Sequence, residues 1–152
     1  MLRGAHAISL DSKGRLAIPT RFRELLREEC DGQLVCTVDL FSACLLLYPL
    51  HEWLGIEKKL RALSSLNVQE RRLQRILLGY ASECELDAQG RVLIAQPLRQ
   101  HAQLDKNITL VGQLNKFEIW DSVRWQQQIS DDLQALPEQD WSTSPRLRDL
   151  VL

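Results

Sequence analysis

The sequence predicts an α+β fold, mainly β, in which two similar halves share one hydrophobic core. Three observations lead to this prediction: a long internal repeat, apolar alternation of period two around a glycine turn in each copy, and an amphipathic helical pattern after each group of strands. Strands with one buried face and helices with one apolar stripe are stable only when packed on each other. The two halves are therefore expected to fold together.

The repeat is clearest where residues 10–19, LDSKGRLAIP, recur at residues 86–95 as LDAQGRVLIA. The same offset of 76 residues aligns Arg23 with Arg99. A shorter offset of 72 then aligns a later group, in which Leu45, Leu47, Tyr48 and Trp53 fall on Phe117, Ile119, Trp120 and Trp125. A match of this length indicates an internal duplication.

Each copy has a β-hairpin pattern around its turn. In the first copy, apolar residues alternate with polar or small ones on both sides of DSKG, namely Ile8, Leu10, Leu16 and Ile18. Gly14 supplies the positive φ of a hairpin turn, and Asp11 can accept backbone N–H bonds. Gly90 and Asp87 repeat this arrangement. Pro19 then ends the first ladder before the helical segment TRFRELLREE, whereas the second copy has Ala95 there and Pro97 two residues later.

Two further strands and a helix are predicted in each half. The strands are LVCTV and CLLLY in the first half, and ITLVGQL and FEIW in the second. Both following helices are expected to pack through one apolar face, formed by Trp53, Ile56, Leu60 and Leu63 in the first half and by Trp125, Ile129, Leu133 and Leu136 in the second. A middle helix has a stripe of Leu73, Ile76, Leu77 and Tyr80, and leaves Arg71, Arg72 and Arg75 on the surface.

A half of about fifty residues is near the limit of what a core can stabilise, and each copy alone would expose unpaired strand edges, so the hairpins of the two copies are expected to interleave around one core. The predicted organisation is a first unit over residues 1–53, a helical linker over 54–80, a second unit over 81–125, and a C-terminal helix and tail over 126–152.

The composition is that of a soluble globular protein, with 152 residues, 45% of them apolar and 26% charged. The longest apolar stretch, Ala43–Leu47, is far shorter than the roughly 20 residues that span a bilayer, and the first residues lack the apolar block of a signal peptide. A cytoplasmic location is therefore expected. Cys30, Cys36, Cys44 and Cys84 form no CxxC pair, which favours reduced, mostly buried thiols.

The formal net charge is −1, but cations are concentrated in two windows. Residues 1–23 contain Arg3, Lys13, Arg15, Arg21 and Arg23 against Asp11 alone. Residues 57–75 contain six Lys or Arg residues against two Glu residues, a pattern more typical of a solvated helix face than of a binding surface.

The repeats closely resemble the MraZ family, whose subunits contain two swapped-hairpin units of the SpoVT/AbrB type. The DxxxR signature of each unit corresponds here to Asp11 with Arg15 and to Asp87 with Arg91. The resemblance covers nearly the whole chain, through MLRGA, LDSKGRLAIPTRFRE, CLLLYPL, ERRLQRILLG, LDAQGRVLIA and NKFEIWD. Only the last residues, PEQDWSTSPRLRDLVL, contribute little.

The resemblance implies a pair of swapped-hairpin β-barrel units in a bacterial transcriptional regulator associated with the nucleoid. Such a protein binds short G-rich direct repeats upstream of its own division and cell-wall gene cluster, and assembles into an octamer-like ring. Two departures, Ala95 in place of proline and the loss of the basic turn tip in the second copy, question whether the copies are equivalent.

Residue chemistry supports DNA binding through the first copy. A two-stranded ribbon fits the major groove, where Arg15 could make a bidentate contact with guanine while Lys13, Arg3, Arg21 and Arg23 meet phosphates. In the alternative, Arg15 only pairs with Asp11 across the turn. The corresponding second window, residues 77–99, has two Arg residues against three acidic ones. We therefore expect the first hairpin to contact DNA and Arg91 mainly to pair with Asp87.

Two rival functions fit the sequence less well. An enzyme is disfavoured because no catalytic motif, metal-ligand spacing or nucleotide loop is present, and the weakly buried turn aspartates are not expected to have shifted pKa values. No cofactor, metal, small-molecule substrate or membrane partner is predicted. An antitoxin-like interaction module is the other rival, and the short tail could dock on a neighbouring subunit or another protein.

Overall fold

The computed structural model describes residues 1–150 and 152. Its strands are β1 (Leu2–Ser9), β2 (Arg15–Ala17), β3 (Gln33–Val38), β4 (Leu45–Pro49), β5 (Ser82–Glu85), β6 (Arg91–Leu93), β7 (Asn107–Leu114) and β8 (Phe117–Asp121). Its α-helices are α1 (Thr20–Cys30), α2 (Leu50–Arg61), α3 (Val68–Tyr80), α4 (Gln96–His101), α5 (Ser122–Ala135) and α6 (Pro145–Arg148).

The strands form two antiparallel sheets. Six strands lie in the order β1-β7-β8-β4-β3-β5, and β2 pairs with β6 in a separate two-stranded ribbon. The predicted α+β class is confirmed, although helices contain more of the described residues than strands do. "Mainly β" therefore describes the core of the protein and not its composition.

The strands that flank each turn pair with the other copy. β1 pairs with β7 along its whole length, from Leu2 opposite Leu114 to Ser9 opposite Asn107. β5 pairs with β3, and β2 pairs with β6. The expectation of a regular hairpin ladder within one copy is thus wrong, because alternation shows which face of a strand is buried but not which strand lies beside it.

One core cluster contains residues from both copies. Leu16 and Ile18 of the first copy and Val92 and Ile94 of the second are fully buried in it, together with Phe117. The predicted shared core is confirmed. Since neither copy could bury these side chains alone, the hydrophobic free energy of folding depends on both copies being present.

Ala95 does not change the fold at the position where the first copy has Pro19. The backbone angles are φ −51° and ψ 138° at Pro19, and φ −58° and ψ 143° at Ala95. Both residues directly precede a helix. The tertiary structure therefore imposes the conformation that proline would favour by itself.

The predicted helices form, but their burial differs. Trp53 and Leu60 of α2 are buried, while Leu63 lies beyond the end of that helix. In α3 the three arginines are exposed, as predicted. In α5 no residue is fully buried: Trp125 and Ile129 of the predicted face are half-buried, whereas Leu133 is 62% exposed, so the predicted face is covered only in part. An apolar stripe indicates which face of a helix can be buried, but not how much of that face is buried.

The chain divides into two compact units, Met1–Ser122 and Val123–Leu152. The first contains both sheets and the shared core. The second contains most of α5, two short 3-10 turns and α6. All four cysteines are free, with Cys36 and Cys44 buried and the other two half-buried. Within residues 1–150 and 152, no helix combines the length and apolar character needed to cross a membrane.

Candidate nucleic-acid interface

The two turns have almost the same backbone structure. At the first turn, the Asp11 carboxylate accepts bonds from the backbone N–H groups of Lys13 and Arg15, both at 2.9 Å. Gly14 donates its N–H to the Asp11 carbonyl at 3.0 Å and has a φ of 86°. This positive φ explains the glycine, because other residues are strained there. The predicted roles of Asp11 and Gly14 in the turn are confirmed.

The second turn repeats each bond. Asp87 accepts from the backbone N–H groups of Gln89 at 2.9 Å and Arg91 at 2.8 Å. Gly90 has a φ of 78° and donates to the Asp87 carbonyl at 2.9 Å. The backbone therefore does not distinguish the two copies, and any functional difference has to come from their side chains.

The side chains of the DxxxR signatures form ion pairs across the turns. The Nε of Arg15 lies 2.6 Å from Oδ2 of Asp11, and the Nε of Arg91 lies 2.9 Å from Oδ2 of Asp87. About a third of each of these side chains is exposed. Solvent screening makes such pairs weak stabilisers, although they orient the guanidinium groups.

The two arginines differ at their outer nitrogens. Nη2 of Arg91 donates to Oε1 of Gln89 at 3.4 Å. In the described part of the chain, the Nη groups of Arg15 have no such partner, because Lys13 stands where the second copy has Gln89 and cannot accept a hydrogen bond. The Arg15 guanidinium thus keeps an unoccupied donor edge beside a second cation.

The pKa of Asp11 is lowered to about 2. The main cause is the hydrogen bond from the backbone N–H of Arg15, which outweighs the opposing effect of burial, and the Arg15 guanidinium adds to it. The pKa of Asp87 is lowered for the same reasons. The expectation of unshifted values was wrong because it considered burial and not the donors within each turn. Both carboxylates are ionised at neutral pH, which does not suit a general acid.

Replacing Asp11 with Asn is expected to make the stability of the protein less sensitive to acid. The folded-state pKa of about 2 lies below the ordinary value of 3.8, so ionised Asp11 stabilises the folded state above about pH 4. This contribution is lost as the pH falls from about 4 to about 2. Urea titrations at pH 6 and pH 3 should show a smaller loss of unfolding free energy in Asp11→Asn than in the parent. Equal losses would contradict this assignment.

Both signature arginines lie on one exposed face. In the β2–β6 ribbon, Arg15 pairs with Leu93 and Ala17 pairs with Arg91. Arg15 and Arg91 are therefore diagonal neighbours, with their backbones about 7–8 Å apart. Leu16 and Val92 point the other way, into the core. Sequence reasoning missed this shared face because it depends on pairing between the copies.

The helix arginines cross to the opposite turn. Arg23 donates from Nε to the Ile18 carbonyl at 2.7 Å, and its guanidinium lies against Gly90 of the second turn. Arg27 also reaches this turn, with Nη2 3.1 Å from the Asp87 carbonyl. The sequence prediction grouped Arg23 with the first turn, whereas its guanidinium packs on the second. A phosphate contact for Arg23 stays a prediction, at a place different from the one expected.

Arg3 and Arg21 form a separate exposed cluster. Nη2 of Arg21 donates to the Arg3 carbonyl at 2.6 Å, and the Arg21 guanidinium lies 4.4 Å from the ring centroid of Phe22. At about 3.3 Å per residue, β1 puts Arg3 roughly 20 Å from the first turn. The structure thus brings Lys13 and Arg15 together, and holds Arg3 with Arg21 at the other end of the strand.

Comparison with known proteins identifies the family. The family model described as "MraZ protein, putative antitoxin-like" matches residues 1–76 and again residues 77–143. The chain belongs to the MraZ family. The second match begins 76 residues after the first, which is the offset between LDSKG and LDAQG. The MraZ family resemblance and the internal duplication are both confirmed.

Members of the MraZ family from several bacteria align with the chain at high identity. A protein of Tolumonas auensis named "Transcriptional regulator MraZ" is 69% identical over 152 residues, covering all of both chains. One of the same name from Serratia proteamaculans is 59% identical over the same full length. Another, from Psychromonas ingrahamii, is 67% identical over 134 residues, or 88% of each chain.

Proposed function

We propose that the protein is a sequence-specific, DNA-binding transcriptional regulator that contacts DNA through its first turn. The observation that supports this most is the Arg15 guanidinium, which is fixed by Asp11 on one edge, has no partner on its outer edge in the described residues, and lies beside Lys13. The names of the relatives, transcriptional regulators of the MraZ family, support the transcriptional role.

The proposed chemistry follows from the geometry of the ribbon and turn. A guanidinium held at Nε by a carboxylate can direct its remaining N–H groups at O6 and N7 of guanine in the major groove. Lys13 at the turn tip would contact a phosphate, and Arg3 with Arg21 would contact phosphates farther along the duplex. We assign Arg23 mainly to the second turn, against which its guanidinium packs.

Several finer features rest on the family resemblance and are proposed with it. The target is a set of short G-rich direct repeats upstream of the protein's own gene, in the bacterial division and cell-wall cluster. The protein acts in the cytoplasm on the nucleoid, as an octamer-like ring, and without catalysis or a cofactor. Its two units, at residues 1–53 and 81–125, form swapped-hairpin barrels joined by residues 54–80 and followed by a C-terminal segment, 126–152.

The antitoxin-like wording of the family description favours one alternative, a module that binds another protein. Such a module would bind its partner through the C-terminal tail instead of the turn cations. Substituting Arg15 would then leave partner binding unchanged, which separates the two functions.

A salt titration of binding to the upstream duplex tests the proposal. With Lys13, Arg3 and Arg21 on phosphates, each engaged subunit should contribute a slope of about −3 to the plot of log affinity against log salt. Scrambling the repeats at constant base composition should weaken binding at least tenfold, because guanine contacts are lost. Salt-sensitive binding with equal affinity for the intact and scrambled duplexes would show that the protein binds DNA only nonspecifically.

A further inference from the structure

We infer that Arg99, in the second copy, is the positioning residue that holds the first turn in the conformation that presents Arg15 to DNA. The inference rests on the proposed function, since it concerns the same turn. Arg99 lies 84 positions from Arg15 along the chain. From the sequence, Arg23 of the first copy would be expected to hold the first turn instead.

The peptide group between Gly14 and Arg15 is fixed at both of its polar atoms. Its N–H, which belongs to Arg15, donates to Oδ1 of Asp11 at 2.9 Å. Its carbonyl, which belongs to Gly14, accepts the N–H of Ile94 at 3.0 Å. The first of these bonds comes from the turn itself, and the second comes from the other copy. The direction in which the Arg15 side chain leaves the backbone therefore depends on Ile94.

Arg99 fixes Ile94 and covers the turn glycine at the same time. Its Nε donates to the Ile94 carbonyl at 2.9 Å. Its guanidinium packs against Gly14 so closely that a Cβ there would lie 2.6 Å from the guanidinium carbon. Both Gly14 and Ile94 are buried. Loss of Arg99 would open a space over the glycine and free the Ile94 carbonyl, so the turn would lose its orientation.

The second turn has the same arrangement with the copies exchanged. Arg23 donates to the Ile18 carbonyl at 2.7 Å, the Ile18 N–H donates to the Gly90 carbonyl at 2.9 Å, and Arg23 packs against Gly90. Arg23 thus orients Arg91. The pseudo-symmetry supplies a matched control, since Arg23 and Arg99 make equivalent contacts and are both half-buried.

The test compares Arg99→Ala with Arg23→Ala on a duplex that contains the direct repeats and on its scrambled counterpart. Both variants should lower Tm by similar amounts, because they remove equivalent contacts. Arg99→Ala should reduce the preference for the intact repeats about tenfold, whereas Arg23→Ala should change it by less than about threefold. Equal losses of preference would overturn the inference.

Two further measurements separate positioning from direct contact. A phosphate contact by Arg99 would reduce the salt slope by about 0.9 on substitution, whereas a positioning residue leaves the slope unchanged. In an Arg15→Ala background, Arg99→Ala should have no further effect on preference, since Arg99 acts through Arg15. A lower slope, or an additive effect in the double variant, would contradict a positioning role.

The proposed function has its own control in the single Arg15→Ala variant. If that variant bound the repeats as well as the parent, the function itself would fail, independently of how Arg99 and Arg23 compare. If either alanine variant does not fold, Arg99→Gln and Arg23→Gln replace the pair, because glutamine retains a donor and part of the packing. The same contrast in preference is expected from them, and its absence would overturn the inference.

Discussion

Arg15→Ala is expected to reduce affinity for the repeat-containing duplex by roughly 10- to 100-fold, while Arg91→Ala reduces it by less than about threefold. A bidentate arginine–guanine contact contributes about 1–3 kcal/mol of discrimination, which corresponds to this range. Arg91 lies on the same ribbon face, but its Nη2 is bonded to Gln89, which stands at the turn tip where the first turn has Lys13. Fluorescence anisotropy with one labelled duplex measures both variants under identical salt.

The control for this comparison is the stability of the two variants. The ion pairs that Arg15 and Arg91 form in the parent protein are similarly exposed, so both substitutions should leave Tm nearly unchanged. Arg15→Lys retains the charge but not the planar pair of donors, and should lose most of the affinity that Arg15→Ala loses. Equal loss of affinity in Arg15→Ala and Arg91→Ala, with both proteins folded, would refute the division of roles between the copies.

An array of three or four repeats is expected to bind about 10²- to 10⁴-fold more tightly than a single repeat. One subunit offers few cations, so an isolated site binds weakly. In a ring that displays the same turn to successive sites, the first contact raises the effective concentration of the next turn. Titrating duplexes with one, two, three and four repeats, at constant length and composition, measures this increase.

Changing the spacing between repeats supplies the control for the array. Half a helical turn inserted between neighbouring repeats moves them to opposite sides of the duplex, so the gain should fall toward the value for one site. Binding to a single repeat as tight as to the full array would contradict a multivalent mechanism.

The sequence contained enough information to predict the local structure of both turns. Asp11 and Gly14 could be assigned their roles because the turn's donors and its positive φ lie within five consecutive residues. Strand and helix positions followed from periodicity for the same reason, since each depends on neighbours along the chain. The shared core was predictable because each half alone is near the lower size limit for a stable core.

Contacts between the copies could not be predicted in the same way. Nothing in the order of residues indicates that Arg23 packs on Gly90, that Arg99 packs on Gly14, or that Arg15 and Arg91 share one face. These contacts follow from the pairing of β2 with β6. The lowered pKa of Asp11 was missed because its cause is a set of short hydrogen bonds and not burial.

The central claim, that the first turn and not the second contacts DNA, is tested most directly by site-specific photo-crosslinking. Lys13 and Gln89 occupy equivalent exposed tips, so a photoreactive amino acid can be placed at either position with the same geometry. Irradiation of each protein bound to the repeat array should give strong crosslinks to the repeats from position 13 and few from position 89. Equal or stronger crosslinking from position 89 would contradict the claim.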